Sequence, residues 1–369
     1  MIGRGGAEYN ATMQLWTSGV AAPRGIARYA ARLEEAGWDG LVVVDSQNLS
    51  GDVYVALTVA ATVTESLGLG PGVTNSVTRE AATTASAIAS LQRVSDGRAV
   101  LGIGRGDSAL AHLGRAPARL GQFERYVAHL QAYLSGESVP FGEIDIPDSV
   151  AAPVGQLGLA DTPETSRIDW LSELPKVPVE VAATGPKVIA IAAVHADRVM
   201  FTLGADPERL AWGLEVARTA RRDRGLDPDG VAFGAYLNCV THTNLDVARR
   251  LVRGGLTTFA RFSVMHGDVA GPVSETQRAV LETLHACYDM RAHTRGDSPQ
   301  AAVLTNDFID QFAIVGPPER CIERLRALAE LGLDKVILSR VGGPAGTDQE
   351  VRQARSLLEE EVMPAIRQG

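Results

Sequence analysis

Cysteine is scarce: only Cys239, Cys287 and Cys321 occur in 369 residues, and they stand far apart. That number and spacing exclude a disulfide framework and leave no C-x-x-C pair for a metal or for thiol redox chemistry. All three read as small buried hydrophobes. Lysine is also scarce. The basic charge is nearly all arginine, spread without a basic run, under a net charge of −9. A nucleic-acid partner is therefore not expected. No apolar run is long enough to cross a bilayer, and the opening MIGRGGAEYN lacks the apolar h-region of a secretory signal. A cytoplasmic protein with no membrane partner is the expectation. The seven histidines (112, 129, 195, 242, 266, 285 and 293) form no H-x-H or H-E-x-x-H, so no metal is expected. Nor is there a G-x-S-x-G elbow or a G-x-x-x-x-G-K-[ST] loop.

What is present is a regular alternation. ATMQLWT (11–17) reads as a strand and 22–38 as an amphipathic helix with Ile26, Tyr29, Ala30 and Leu33 on one face. DGLVVVD (39–45) is a continuous apolar run, as in a parallel strand buried on both sides. The beat continues with helix 52–65, strand 67–73, helix 80–94, strand 97–104 and helix 120–136. Residues 137–176, rich in proline and glycine, interrupt it as a linker or a long excursion. It resumes with strand 177–183, helix 186–195, strand 197–204, helix 206–225 and strand 231–242. Helix 244–262 follows, with Gly254-Gly255 as its candidate break. Helices 274–293 and 317–332, strand 334–339 and a C-terminal helix at 348–367 complete the chain.

Eight strands, each followed by a helix, predict an α/β fold of the (β/α)8 TIM-barrel type in one domain spanning 1–369. A doubly wound open sheet is the alternative. Thr17, Asp45, Thr74, Asp107, Thr184 and Gly204 all fall just after strands. In a barrel those positions converge on one rim, where active sites lie.

The stretch LGIGRGDSALAHLG (101–114) is the most suggestive. Its G-x-G-x-G-D follows a strand but is not the dinucleotide fingerprint G-x-G-x-x-G. Glycines at 104 and 106 allow close backbone approach to a flat ligand. Asp107 is then a rim carboxylate able to bind a ligand or move a proton; it reads equally as the cap of a short helix. His112 follows within reach of the same rim. Asp45 ends a buried strand, as a ligand contact or a loop cap. Thr74, Asn75, Ser76 and Thr78 fit ring and phosphate edges, or an ordinary polar loop. In AATGPK, Thr184 and Pro186 suit a helix start whose free N–H groups attract an anion, or a plain capped helix.

Five stretches in order, VVVDSQN, LGPGVTNSVTR, SDGRAVLGIGRGDSALAHLG, VPVEVAATGPKVIAIAA and VGPPERCIERLRALAELGLDKVILS, resemble the bacterial luciferase-like superfamily of flavin and deazaflavin oxidoreductases. Within it they are most similar to methylenetetrahydromethanopterin reductase-like proteins. The resemblance implies a TIM barrel with luciferase-like insertions, 137–176 being one near the site. It implies coenzyme F420, with FMN as the alternative, and hydride transfer to a small-molecule substrate. Asp45 matches a carboxylate near the coenzyme ring, followed here by Ser46 where most deazaflavin members have His. Gly72-Val73 matches a non-prolyl cis peptide behind the ring, and Thr74 and Asn75 border it. Gly104, Arg105, Gly106 and Asp107 match the ring-side loop with its acidic group. Thr184, Gly185, Pro186 and Lys187 match the phosphate-binding helix start. Asp107, Asp45 and His112 are the catalytic candidates. Homo-oligomers are usual in the family. An FMN-dependent monooxygenase fed by a flavin reductase and a non-catalytic flavin-binding barrel are the competing functions.

Overall fold

The computed structural model describes residues 13–22, 24–171, 173–339 and 346–368. Nine parallel strand segments form one sheet: β1 Gln14–Val20, β2 Gly40–Val44, β3 Gly68–Pro71, β4 Thr74–Asn75, β5 Leu101–Gly104, β6 Val179–Ala183, β7 Arg198–Phe201, β8 Ala232–Thr241 and β9 Lys335–Ser339. Their order is β3-β2-β1-β9-β8-β7-β6-β5-β4. β3 and β4 are two halves of one strand, separated by a cis Gly72–Val73 peptide, as the resemblance implies. β3 pairs with β2 and β4 with β5, and a Leu69–Ala99 bridge ties the lower half, so the sheet closes into the predicted barrel. The first strand was placed at 11–17; residues 11 and 12 lie outside the described residues, and Thr17 sits within β1, donating to the Leu338 carbonyl rather than ending the strand.

Alternation along each strand decides what fills the barrel. Trp16, Val42, Met200, Tyr236 and Ile337 form its inner cluster, whereas Leu15, Leu41, Val43, Leu101 and Ile103 belong to the shell under the helices. Trp16 needs glycine opposite. A Cβ at Gly40 would lie 2.3 Å from the indole and one at Gly68 2.5 Å. The outer helices are amphipathic as the spacing predicts: α1 Ile26–Glu35 buries Ile26, Ala30 and Leu33.

Several expectations need correction. Helix α7, Leu245–Phe262, following α2 Val53–Ala61, α3 Ala81–Val94, α4 Leu120–Leu134, α5 Pro186–His195 and α6 Pro207–Asp223, runs unbroken through Gly254-Gly255. Those glycines serve close approach instead: a Cβ at Gly254 would lie 2.4 Å from the Thr294 carbonyl and one at Gly255 2.9 Å from Asn238 Nδ2. The helix expected over 274–293 is α8, Glu275–Cys287, and stops at an extended Tyr288. The unassigned stretch before 317 holds helical turns Pro299–Ala302 and Asn306–Phe312 and a strand, Ile314–Gly316, paired with Cys239–Thr241. Cys239 and Cys321 are buried, the Cys321 thiol donating to the Gly316 carbonyl, while Cys287 is exposed.

The 137–176 excursion leaves the C-terminal end of α4 and enters the N-terminal end of β6. Its closing end is tied to the floor of the barrel, where Gln92 donates to the Pro175 carbonyl and Lys176 pairs with Asp197. Earlier in the excursion Asp145 pairs with Arg125 and Glu143 with His129, so that part runs back along α4. The C-terminal segment runs as helix Asp348–Leu357, a π turn Leu358–Val362 and helix Met363–Arg367.

Candidate active site

The C-terminal ends of the strands bring most of the singled-out residues to one mouth. On the β2–β5 side glycines let neighbouring chain pack closely. Gly104 faces inward, where a Cβ would meet Val73 at 3.2 Å. Gly106 has φ +90 and sits 2.6 Å, by its missing Cβ, from Leu110. Only glycine fits that turn, and the turn sets the direction of Asp107.

Asp107 precedes the short helix Ser108–Ala111 but makes no side-chain cap bond. The capping alternative therefore fails: its carboxylate crosses the mouth to Arg261. Asp45 is also no cap. It is buried, and its Oδ2 accepts from Thr74 Oγ1 at 2.7 Å and from Arg79 Nη1 at 2.5 Å. Arg79 continues to Asp52 at 2.8 Å, which caps α2. Asp45 thus ties β2 to the β4 loop. Asn75 Oδ1 accepts from the Val77 and Thr78 amides, so it builds that loop. Ser46 and Ser108 share a hydrogen bond of 2.9 Å, which joins the two rim loops. Arg105 is directed to the Ala118 carbonyl. His112, at the end of the short helix, is exposed.

Thr184 does not cap α5, contrary to one expectation; its hydroxyl bonds Thr202 Oγ1, and Gly185 is the cap residue. No side chain satisfies the first amides of α5, and the space beside Gly185 is open within 4 Å. Pro186 and Lys187 at its first turn are exposed. The next helix is different: Asp206 caps α6 from its side chain. An uncapped N-terminus with open space before it is suited to an anion.

The opposite wall was not anticipated. Phe259 of α7 packs on the barrel's inner cluster and against Tyr236, with ring centroids 6.4 Å apart. Two residues on, Arg261 reaches Asp107 and lies 4.7 Å from the centroid of the Tyr288 ring. Tyr288 Oη bonds His293 Nδ1 at 2.8 Å. Burial pushes the His293 pKa below the usual imidazole value; Asp107 opposes this, and Arg261 and His112 add to it. Burial raises the Tyr288 hydroxyl. The helical reading of 274–293 hid this group. The break at Tyr288 is what turns both side chains toward the mouth. Among the described residues no His, Cys, Asp and Glu group could hold a metal ion, and no helix is long and apolar enough to cross a membrane.

A second charged cluster closes the barrel floor. Lys335 Nζ lies 2.9 Å from both oxygens of Glu180 and 3.4 Å over the Trp16 ring. Arg198 Nε joins Glu180 at 3.0 Å. Burial lowers the Lys335 ammonium to about 8, and Glu180 resists that.

Comparison with known proteins places this geometry among relatives. The family described as luciferase-like monooxygenase matches residues 5–335. A 5,10-methylenetetrahydromethanopterin reductase from Methanolobus tindarius is 28% identical over 88% of this chain and 92% of its own. Among solved structures, the coenzyme F420-dependent tetrahydromethanopterin reductase from Methanopyrus kandleri superposes with a TM-score of 0.69 at 22% identity, over 96% of this chain and 100% of that one. The oxygenating constituent of 3,6-diketocamphane monooxygenase from Pseudomonas putida, in complex with FMN, gives 0.60 at 17% identity, over 96% and 98%.

Proposed function

The chain belongs to the luciferase-like monooxygenase family and is an oxidoreductase; on that premise we propose that it exchanges a hydride between coenzyme F420 and a small organic substrate at the barrel mouth. One observation carries the reading: the glycine turn after β5 aims Asp107 across the mouth at the Arg261, Tyr288 and His293 group. The loops after β4 and β5 would hold a flat deazaflavin ring, and the ionisable group would serve the substrate beside it. The F420-dependent relatives support deazaflavin over flavin.

The residues fit such a group. The uncapped amides of α5 and the open space beside Gly185 suit its phosphate. When bound, the deazaflavin supplies the hydride donor or acceptor. The chain supplies the remainder. Asp107 holds or delivers the proton at its carboxylate oxygen. Arg261 pairs with that carboxylate and orients it until substrate arrives. Asp45, through Thr74 and Arg79, fixes the loop that borders the ring. Phe259 and Tyr288 keep water from the reacting edge.

The test is titration of the protein with F420 and with FMN, oxidised and reduced, followed by fluorescence. Tight binding of F420 alone supports the reading. Binding of FMN alone, with oxygen uptake, replaces it with a monooxygenase served by a flavin reductase. Binding of neither overturns it.

A further inference from the structure

We infer that Arg261 is the recognition site for an anionic group, carboxylate or phosphate, on the substrate. The inference rests on the mouth being the active site.

Arg79 and Arg198 are held by pairs of carboxylates, and four further arginines fix the fold. Arg209 is fully buried and donates to the Leu203, Pro272 and Ala270 carbonyls and to Ser263 Oγ. Arg98 donates to the Ser95, Leu67, Ala61 and Thr64 carbonyls. Arg221 reaches the Asp227 and Ala193 carbonyls, and Arg324 those of Asp310, Ala205 and Gln311. Each is spent on backbone. Arg261 donates to no backbone carbonyl among the described residues. It meets Asp107 through Nη2, and its buried Nε has no partner. A buried donor left unmade is costly and is satisfied by an incoming oxygen.

The guanidinium is also held ready. Its Cζ lies 4.7 Å from the centroid of the Tyr288 ring and 5.9 Å from that of Phe262. Tyr288 is held in turn by His293. A stacked arginine is weakly hydrated and presents a fork matching a carboxylate or phosphate. Among the described residues Asp107 is the carboxylate paired with Arg261, and it also acts on the His293 imidazole. Asp107 is therefore an internal stand-in for the substrate's anion. When that anion takes Arg261, Asp107 is released from its ion pair and is free to serve proton transfer.

The test is calorimetric titration of inorganic phosphate and, separately, of acetate into F420-loaded protein. Wild type binds one equivalent of the preferred anion, and which probe binds tells a phosphate from a carboxylate substrate. Arg261→Met weakens it on the order of 10- to 100-fold, the worth of a charged hydrogen bond, and Arg261→Lys restores part. Asp107→Asn binds the anion more tightly, because the competitor is gone. A purely structural pair has no reason to give these opposite signs. Unchanged affinity in Arg261→Met, or no gain in Asp107→Asn, overturns the inference. Displacement of the anion by F420 also overturns it, since the site then serves the cofactor. If F420 itself fails to bind, the same titrations on cofactor-free protein still decide the anion site, and only the cofactor reading falls.

Discussion

The barrel carries two ion-paired clusters of similar chemistry, one at each end. At the floor, Lys335 and Glu180 are 1% and 4% exposed, and both carboxylate oxygens are used. At the mouth, Arg261 and Asp107 are 12% and 20% exposed, and Arg261 keeps a buried donor without a partner. The floor cluster lies deeper, with Trp16 above it and Arg198 beside it, the latter also paired with Asp334. It cannot exchange partners without leaving a charge uncompensated in the core. The mouth cluster faces solvent and can. Depth of burial, rather than the presence of an acid and a base, separates an ion pair that fixes a fold from one that can work.

The largest test of that contrast is Asp107→Asn. Turnover with F420 falls on the order of 10²- to 10⁴-fold, as expected for a lost proton carrier, while F420 affinity, read by fluorescence, stays the same. Equal turnover would remove the functional side of the comparison. At the other end, Lys335→Met leaves Glu180 in the core with only Arg198 for compensation. It destabilises the protein by about 3–5 kcal/mol in urea unfolding, and the folded fraction keeps its F420 affinity. Gly106→Ala is intermediate. Its φ of +90 and the close Leu110 cost roughly 1–3 kcal/mol, and turnover falls as well because Asp107 is re-aimed; retained turnover would show that the turn does not direct it.

The smallest effect is a pH dependence at the mouth. His293 has a folded pKa below its ordinary 6.5, so the unfolded chain binds the proton more readily. Its contribution to stability is complete above pH 6.5 and is lost as pH falls from there toward the depressed value. Urea midpoints between pH 8 and 5 measure it, and His293→Asn flattens that part of the profile. Asp107 pulls the imidazole the other way, so Asp107→Asn steepens the dependence.

The eight barrel strands were legible because each is a short apolar run set off by a helix of clear periodicity. Element ends were less so. The 274–293 stretch reads as one helix by composition, yet Tyr288 leaves it to bond His293 and stack on Arg261. Gly254-Gly255 reads as a break, yet the glycines admit neighbouring chain against an intact helix. In the site, Asp107 was found from a local pattern, glycines followed by a carboxylate after a strand. Arg261 was not, because an arginine in the last turn of an amphipathic helix has no local mark. Lys335 and Glu180 stayed hidden for the same reason, since each lies among apolar strand residues and finds its partner across the barrel.

Sequence alone determined the alternation of strands and helices, the glycines on the β2–β5 side and the rim position of Asp45, Thr74, Asp107 and Thr184. Those are local properties, set by side-chain period and by backbone freedom at glycine. The tertiary structure decided which polar groups meet: Asp45 with Arg79, Glu180 with Lys335, Asp107 with Arg261 across 154 residues. Pairing at that separation depends on barrel closure and on where α7 lies over the mouth, and no local pattern in the chain encodes either.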